Sequence, residues 1–284
     1  MVNNSSYIGS AIQLSVVSVL SRTLSILIIK PHVFLLPLII GTLQQAFIKF
    51  VPLGLYGSII AYIATRLLTA LSQGIIIYAV YQALIGERVS MDESVSCCTA
   101  RLMTLCFISI LITLCFILVF LAALVPGFFF ARFVDFQIPT NIPFFPSLPT
   151  LLMVPPNLLI AVTFAIIPWF IITLFLSIKW ILSIPACIVE NLGVMESLRR
   201  SSSLTKGYRS KILILMIIIG LIGGALESLG NSIFSNSSNI GIIGMALVMS
   251  ITMAFSCVMF VVFYYDILAV KDGISIDKVL DVFD

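Results

Sequence analysis

Six long runs of apolar residues, almost free of charged side chains, dominate this sequence. A helix needs about 20 such residues to cross a bilayer core that is about 30 Å thick. Within the runs the one charged residue is Lys179, which lies close to the end of the fourth. With a few flanking residues added, the runs predict six membrane-spanning helices at residues 32–50, 67–86, 102–126, 158–182, 211–228 and 241–264.

The composition supports this prediction. Hydrophobic residues make up 61% of the 284 residues and charged residues 10%, whereas a soluble domain carries about 25% charged residues. The mean hydropathy of +1.21 is too high for a soluble enzyme, a nucleic-acid-binding protein or a disordered chain. We therefore predict an all-α fold, a polytopic membrane helix bundle that forms a single integral membrane domain over residues 1–284, with no nucleic-acid partner.

The distribution of basic residues predicts the orientation. With six spans, only Lys49, Arg66 and Arg132 fall on one side of the membrane, and the other twelve of the fifteen lysines and arginines fall on the opposite side. Lys and Arg are enriched in short cytoplasmic loops. We therefore expect a multi-pass protein of the cell membrane with both termini in the cytoplasm. Because no basic residue precedes the first apolar stretch, we expect the amino terminus to belong to the mature protein.

Similar short segments precede or follow the predicted hairpins. Ser90 stands three residues before Glu93, which is the spacing of a capping box at a helix amino terminus, and Gly193 stands three before Glu196. Near the carboxyl terminus, Ser275 offers a similar cap. These segments favour three repeated units, each an interfacial helix followed by a two-span hairpin, with convergent capping chemistry as the alternative.

The amino-terminal segment has the same amphipathic character. Ser15, Ser18, Arg22 and Ser25 are spaced by three, four and three residues, so they share one polar face. A helix of this kind just before a span is typical of the membrane interface.

Small residues predict where two of the spans pack closely against other helices. The stripes are Gly220, Gly224 and Ser228 on the fifth span, and Ser250 and Ala254 on the sixth. Small residues at this spacing allow helix backbones to approach each other.

Two stretches, Ile184–Arg209 and Phe263–Asp277, resemble a family of six-span proteins typified by the membrane domain attached to some glycerophosphoryl diester phosphodiesterases. That family includes stand-alone members of unassigned function. The residues that carry the resemblance are Pro185, Val189, Glu190, Ser197, Leu198, Arg200, Ser201, Leu204, Thr205, Gly207, Tyr265, Asp266 and Gly273. Ser197 stands where the family usually has Ala, and Ser202 where an aromatic residue is common. No residues match the catalytic phosphodiesterase barrel, so the resemblance implies a membrane module and no hydrolysis.

A basic cluster before the fifth span is the first candidate site. It comprises Arg199, Arg200, Lys206, Arg209 and Lys211. Basic residues near anionic headgroups contribute about 1 kcal/mol each. The cluster indicates contact with membrane lipids or with a partner, and the alternative is that it only sets the topology.

Two carboxylates at the inner ends of spans form the second candidate site. Glu190 follows the fourth span and Asp266 ends the sixth, and either could pair with Arg200. We interpret the three residues as a structural clamp, because no second acid or nucleophile is evident beside them.

No catalytic, metal-binding or cofactor-binding motif accompanies these residues. The six cysteines form no CxxC pair, and His32 is the single histidine. We therefore expect a non-enzymatic module without a cofactor, such as a scaffold, an assembly factor or a subunit of a membrane complex. A transporter, channel or lipid-translocating permease is the alternative. The scarcity of charged residues inside the spans disfavours a transporter or channel, whereas a protein that translocates lipids needs fewer of them. A membrane-embedded enzyme acting on lipids is the weakest of the three hypotheses.

Overall fold

The computed structural model describes residues 15–29, 31–50, 55–86, 89–133, 156–234 and 239–271, and its regular secondary structure there is all helical. The helices are α1 (Val16–Ile29), α2 (His32–Phe50), α3 (Leu55–Ile85), α4 (Met91–Ala100), α5 (Leu102–Phe133), α6 (Pro156–Trp180), α7 (Ser183–Val189), α8 (Val194–Thr205), α9 (Arg209–Ile233) and α10 (Asn239–Lys271). The predicted all-α class is confirmed.

Several of these helices are long and apolar enough to cross a bilayer, which makes the chain a multi-pass membrane protein. Within the described residues five segments meet this condition, namely Ala61–Ile85, Leu102–Val125, Ile166–Val189, Arg209–Ile233 and Ile240–Lys271. Val16–Ile29 and Phe34–Gln44, bent by 92° relative to each other, raise the number to six if the pair forms one span. The first predicted span, 32–50, is a helix, but it counts as a membrane span only together with Val16–Ile29 in this bent pair.

The predicted boundaries differ most from the structure at three places. Helix α3 begins at Leu55 instead of residue 67, because Arg66 does not end the helix. The Arg66 guanidinium lies 4.9 Å from the centre of the Tyr62 ring, one turn earlier on the same helix. Helix α5 continues past Pro126 to Phe133, as a proline inside a membrane helix is tolerated when its freed backbone groups find other partners. Helix α10 extends to Lys271, two turns beyond the predicted end at 264.

The short helices follow the predicted order. Each of α1, α4 and α8 precedes two long helices. An additional short helix, α7, lies between α6 and α8. The Ser90 hydroxyl accepts a hydrogen bond from the Glu93 backbone N–H at 3.3 Å, and Glu196 Oε2 accepts one from the Gly193 N–H at 3.1 Å. The third capping segment, at Ser275, lies outside the described residues.

The contacts divide the chain into two compact units. One comprises residues 1–109 and 179–284, and the other comprises residues 110–178. In the smaller unit the rings of Phe120 and Trp169 meet edge to face, with their centres 5.6 Å apart. The single integral membrane domain stays a prediction.

Helix α10 is the central element of the larger unit, where it packs against α1, α2, α3, α7, α8 and α9. Its buried side chains form much of the core; they include Val258, Met259, Val261, Val262, Phe263, Tyr264 and Ile267.

Glycines bring other helices close to α10. A Cβ on Gly41 of α2 would lie 2.8 Å from the Ser250 hydroxyl, and one on Gly223 of α9 would lie 2.9 Å from a Thr252 methyl group.

The predicted small-residue stripe on α9 is wrong. Gly220 and Gly224 are exposed, and no atom of the described residues lies within 4 Å of the position that a Cβ would take on either. The contact with α10 is made instead by Gly223 and Gly230. One residue changes the direction of a helical side chain by about 100°, so a stripe displaced by one position faces away from the neighbour.

Candidate functional site at the end of the central helix

Three consecutive residues near the end of α10, Tyr264, Tyr265 and Asp266, reach three different neighbours. Successive side chains on an α-helix point about 100° apart, so three in a row cover most of its circumference. Helix α10 is surrounded by other helices, and each of the three side chains therefore meets a different one. We call these residues and their partners the α10 hub.

Tyr264 connects α10 to α7 and α8 through Glu190. The Tyr264 hydroxyl donates a hydrogen bond to Glu190 Oε1 at 2.5 Å. The Arg200 Nε–H approaches both carboxylate oxygens of Glu190 at 2.8 Å. Glu190 directly follows the last residue of α7 and caps it, and Asn191 comes next with a left-handed φ of 58°, which turns the chain toward α8. Charge-assisted hydrogen bonds of this kind are about twice as strong as neutral ones.

Asp266 connects α10 to α1. Its carboxylate is fully buried and forms an ion pair with the guanidinium of Arg22, whose side chain is 35% exposed. Asp266 Oδ2 accepts from Arg22 Nη2, whereas Oδ1 has no hydrogen-bond partner among the described residues. The pair joins positions 244 residues apart in the sequence. Removing one member of a buried ion pair costs about 3–5 kcal/mol, because the remaining charge stays buried and unpaired.

Tyr265 connects α10 to α3 by an aromatic contact. Its ring meets the ring of Tyr81 edge to face, with the ring centres 6.5 Å apart and the planes inclined by 66°. Aromatic pairs in this arrangement contribute about 0.5–1.5 kcal/mol beyond the area that they bury.

Lys271 adds a second contact between α10 and α8. It lies seven residues after Tyr264, two helical turns along the same face. Its Nζ donates to the carbonyl oxygens of Ser203 at 2.5 Å and of Lys206 at 3.0 Å. These carbonyls belong to the end of α8, where a helix presents partial negative charge and a cation is stabilising.

An aromatic ring between α8 and α9 accompanies that contact. The ammonium groups of Lys271 and Lys211 lie 5.6 Å and 5.7 Å from the centre of the Tyr208 ring, within the range of a cation–π interaction.

Helix α8 has one buried face and one exposed face. Its buried side chains are Ser197, Leu198, Ser201, Leu204 and Thr205, and the Ser201 hydroxyl donates to the Lys179 carbonyl at 2.9 Å. Arg199 and Lys206 are exposed on the other side, as is Arg209 at the start of α9. The predicted basic cluster is therefore divided, because Arg200 turns inward to Glu190 and Lys211 is half-buried beside Tyr208.

Of the two carboxylates that could pair with Arg200, the structure brings only Glu190 to it. Asp266 pairs with Arg22 instead. The sequence did not reveal this partner, because the serines spaced three and four residues from Arg22 suggested a face turned to water. In the structure Val19 and Thr23 of the same helix are fully buried.

A cavity of about 420 Å³ lies beside the α10 hub. Helices α3, α4 and α7 line it with Gln82, Glu93, Arg101 and Val189, among others, and Tyr81 belongs both to this wall and to the hub. The sequence did not predict that Gln82, Glu93 and Arg101 line a common cavity. Only their proximity in the folded structure shows this.

Comparison of the chain with protein-family models, with curated proteins and with solved structures finds no match. The resemblance to the phosphodiesterase-associated membrane family therefore stays a prediction. Among the described residues, no three His, Cys, Asp or Glu side chains come together in a group that could hold a metal ion.

Proposed function

We propose that this chain is a non-enzymatic membrane module that acts as a scaffold, an assembly factor or a subunit of a membrane complex. We place it in the cell membrane with both termini in the cytoplasm, and we assign the exposed basic face of α8 to contact with anionic lipid headgroups. The resemblance in the segments around Glu190 and Asp266 favours the same kind of module.

The observation that carries the proposal is how the ionisable groups of the α10 hub are used. Glu190 is engaged by Arg200 and Tyr264, and Asp266 is engaged by Arg22. A general acid or base must have its proton within reach of a substrate. Here the carboxylates join helices to one another, which suits a rigid structural module better than a reaction centre.

The lipid assignment depends on the face of α8 opposite the hub. Arg199 is exposed on that face, as are Lys206 directly after α8 and Arg209 at the start of α9, while Arg200 is occupied by Glu190. Exposed basic residues at the end of a span attract anionic headgroups, and each contributes about 1 kcal/mol near the membrane surface. Arg199 and Lys206 can therefore bind lipid without loss of the contacts that hold the hub together.

The lipid contact can be tested by thermal unfolding in detergent micelles. Added phosphatidylglycerol should raise the unfolding midpoint of the parent protein more than added phosphatidylcholine does. The double variant R199Q/K206Q should lose most of that difference and keep the midpoint measured without lipid. The variant R66Q removes one positive charge at the predicted opposite side of the membrane, and it should keep the difference. Equal responses of the parent to both lipids would contradict the assignment.

The orientation can be tested with a membrane-impermeant maleimide applied to intact cells. Ser203 lies on α8, and Ser232 lies at the far end of α9; both are exposed. The variant S232C should be labelled above the level of the parent protein, and S203C should be labelled only after the cells are permeabilised. The reverse pattern would place the termini outside the cell.

The role in a complex can be tested by affinity purification from the native membrane. A scaffold or subunit should retain another membrane protein at constant stoichiometry. Uptake of a solute into vesicles that contain the purified chain alone would favour a transporter and would contradict the proposal.

A further inference from the structure

We propose that the cavity between α3, α4 and α7 binds a phosphoethanolamine group, with its ammonium against Gln82 and Glu93 and its phosphate against Arg101. This site is separate from the exposed basic face of α8, and it does not depend on the function proposed above. The volume of about 420 Å³ lies within the range of about 300–1,000 Å³ that is typical of small-molecule sites.

One wall of the cavity offers hydrogen-bond acceptors without matching donors. Gln82 is only 3% exposed, and its Nε2 donates to Glu93 Oε2 at 3.1 Å. Its Oε1 is buried and has no partner among the residues that the structure describes. A buried amide oxygen without a partner costs free energy, so rotation of the Gln82 amide toward the cavity to accept a hydrogen bond from a ligand would be favourable. An ammonium group supplies three donors and the positive charge that the Glu93 carboxylate attracts.

The rings of Tyr78 and Tyr81 also line the cavity. The face of a tyrosine ring attracts a cation within about 6 Å of its centre. The chemistry of this wall therefore suits a cation with N–H donors, and it suits an anion poorly.

Arg101 supplies the complementary charge at the end of α4. One of its guanidinium N–H groups donates to the Cys187 carbonyl at 3.3 Å, which fixes the side chain against α7. A guanidinium has five donors in a planar arrangement that matches phosphate. In the described part of the chain Arg101 forms no ion pair with a carboxylate, and neither does Glu93 with a basic side chain.

The spacing of the two charges selects the ligand. Glu93 lies in the first turn of α4 and Arg101 directly follows its last residue, so eight residues of helical rise separate their backbones by about 12 Å along the axis. Among the described residues no ion pair joins these two side chains. A phosphoethanolamine group, with its charges several bonds apart, fits this spacing better than an α-amino acid, whose charges flank one carbon atom. The group could enter as the headgroup of a phospholipid or as a free solute.

Native mass spectrometry of the detergent-purified protein tests the lipid source. Phosphatidylethanolamine should be retained at least tenfold better than phosphatidylcholine, which has no N–H donor, and better than phosphatidylglycerol, which has no ammonium. The variants E93Q and R101Q should each reduce retention about tenfold. The variant D92N removes the same charge from the neighbouring residue of α4, which does not line the cavity, and it should retain the lipid.

Calorimetric titration with soluble phosphoethanolamine tests the other source. Binding of the solute without preferential retention of the lipid would assign the cavity to a free metabolite of this chemistry. The variant A100W fills the cavity without removing a charge, and it should abolish binding from either source while the protein remains folded by circular dichroism. Equal retention of phosphatidylethanolamine and phosphatidylcholine together with no binding of the solute would overturn the proposal. Loss of the phosphatidylglycerol response in R199Q/K206Q leaves this result unchanged, because neither residue lines the cavity.

Discussion

Asp266 of α10 and Arg22 of α1 form an ion pair across 244 residues, and the carboxylate is fully buried while the guanidinium side chain is 35% exposed. Ionisable residues inside membrane proteins are rare and face other protein groups. This pair attaches the first described helix to the central one. Its asymmetry in exposure means that Arg22 can turn its charge toward water more easily than Asp266 can.

Removal of the Tyr264 hydroxyl should destabilise the protein more than removal of the adjacent one. In Y264F, Glu190 loses a hydrogen-bond donor at 2.5 Å, which should lower the free energy of unfolding by about 1–2 kcal/mol. The matched variant Y265F keeps the ring contact with Tyr81 and should change it by less than about 0.5 kcal/mol. Unfolding in mixed micelles of increasing dodecyl sulfate content measures both values. A larger loss in Y265F would show that the Glu190 contact does not stabilise α10.

Adjacent glycines on α9 should respond differently to the same substitution. In G223V the new side chain meets the methyl group of Thr252, where even a Cβ would lie only 2.9 Å away. Overpacking of this kind costs about 1–3 kcal/mol. In G224V the same side chain enters open space, and both variants share the same change in helix propensity. The difference between their unfolding free energies therefore isolates the packing of α9 on α10, and equal values would contradict that contact.

Cys98 on α4 should react slowly with maleimides in the folded protein. Burial, followed by the neighbouring Cys97, raises the pKa of its thiol from 9.0 to about 12. The thiolate is the reactive form, so a pKa raised to about 12 leaves a much smaller fraction of reactive Cys98 at pH 8. The greater intrinsic nucleophilicity of a high-pKa thiolate offsets part of this loss.

The measurement is alkylation followed by tandem mass spectrometry of the peptide that contains Cys97 and Cys98. Labelling of Cys98 at pH 8 should be at least about tenfold slower than in the dodecyl sulfate-unfolded chain. Rapid labelling at pH 8 in the folded protein would mean that Cys98 is accessible and that α3, whose Gly74 lies against its sulfur, does not cover it.

The sequence predicts the long helices well because apolar length is a local property. Bilayer thickness requires it, and a single charge at an end, such as Arg66, changes only where the apolar run begins. The capping residues of α4 and α8 are local in the same way, since Ser90 and Glu196 act within one turn of their helix. These features follow from neighbours in the chain.

The partners of the polar residues could not be predicted in the same way. Periodicity places Arg22 on a face of α1, but it does not say whether water or another helix lies on that face. Glu190 and Arg200 are ten residues apart, and this short separation made their pairing foreseeable. The pairing of Arg22 with Asp266, the packing of Gly223 instead of Gly220, and the cavity around Gln82 depend on the tertiary arrangement of distant segments.

A double-mutant cycle on Arg22 and Asp266 tests most directly whether ionic contacts of the α10 hub hold the helices together. The variant R22L leaves the buried carboxylate unpaired and should lower the unfolding free energy by about 3–5 kcal/mol; D266L should cost less, because the Arg22 charge can reach water. The double variant should lose at least about 1 kcal/mol less than the sum of the two single losses. Losses that add to within about 0.5 kcal/mol would show that the two residues do not interact.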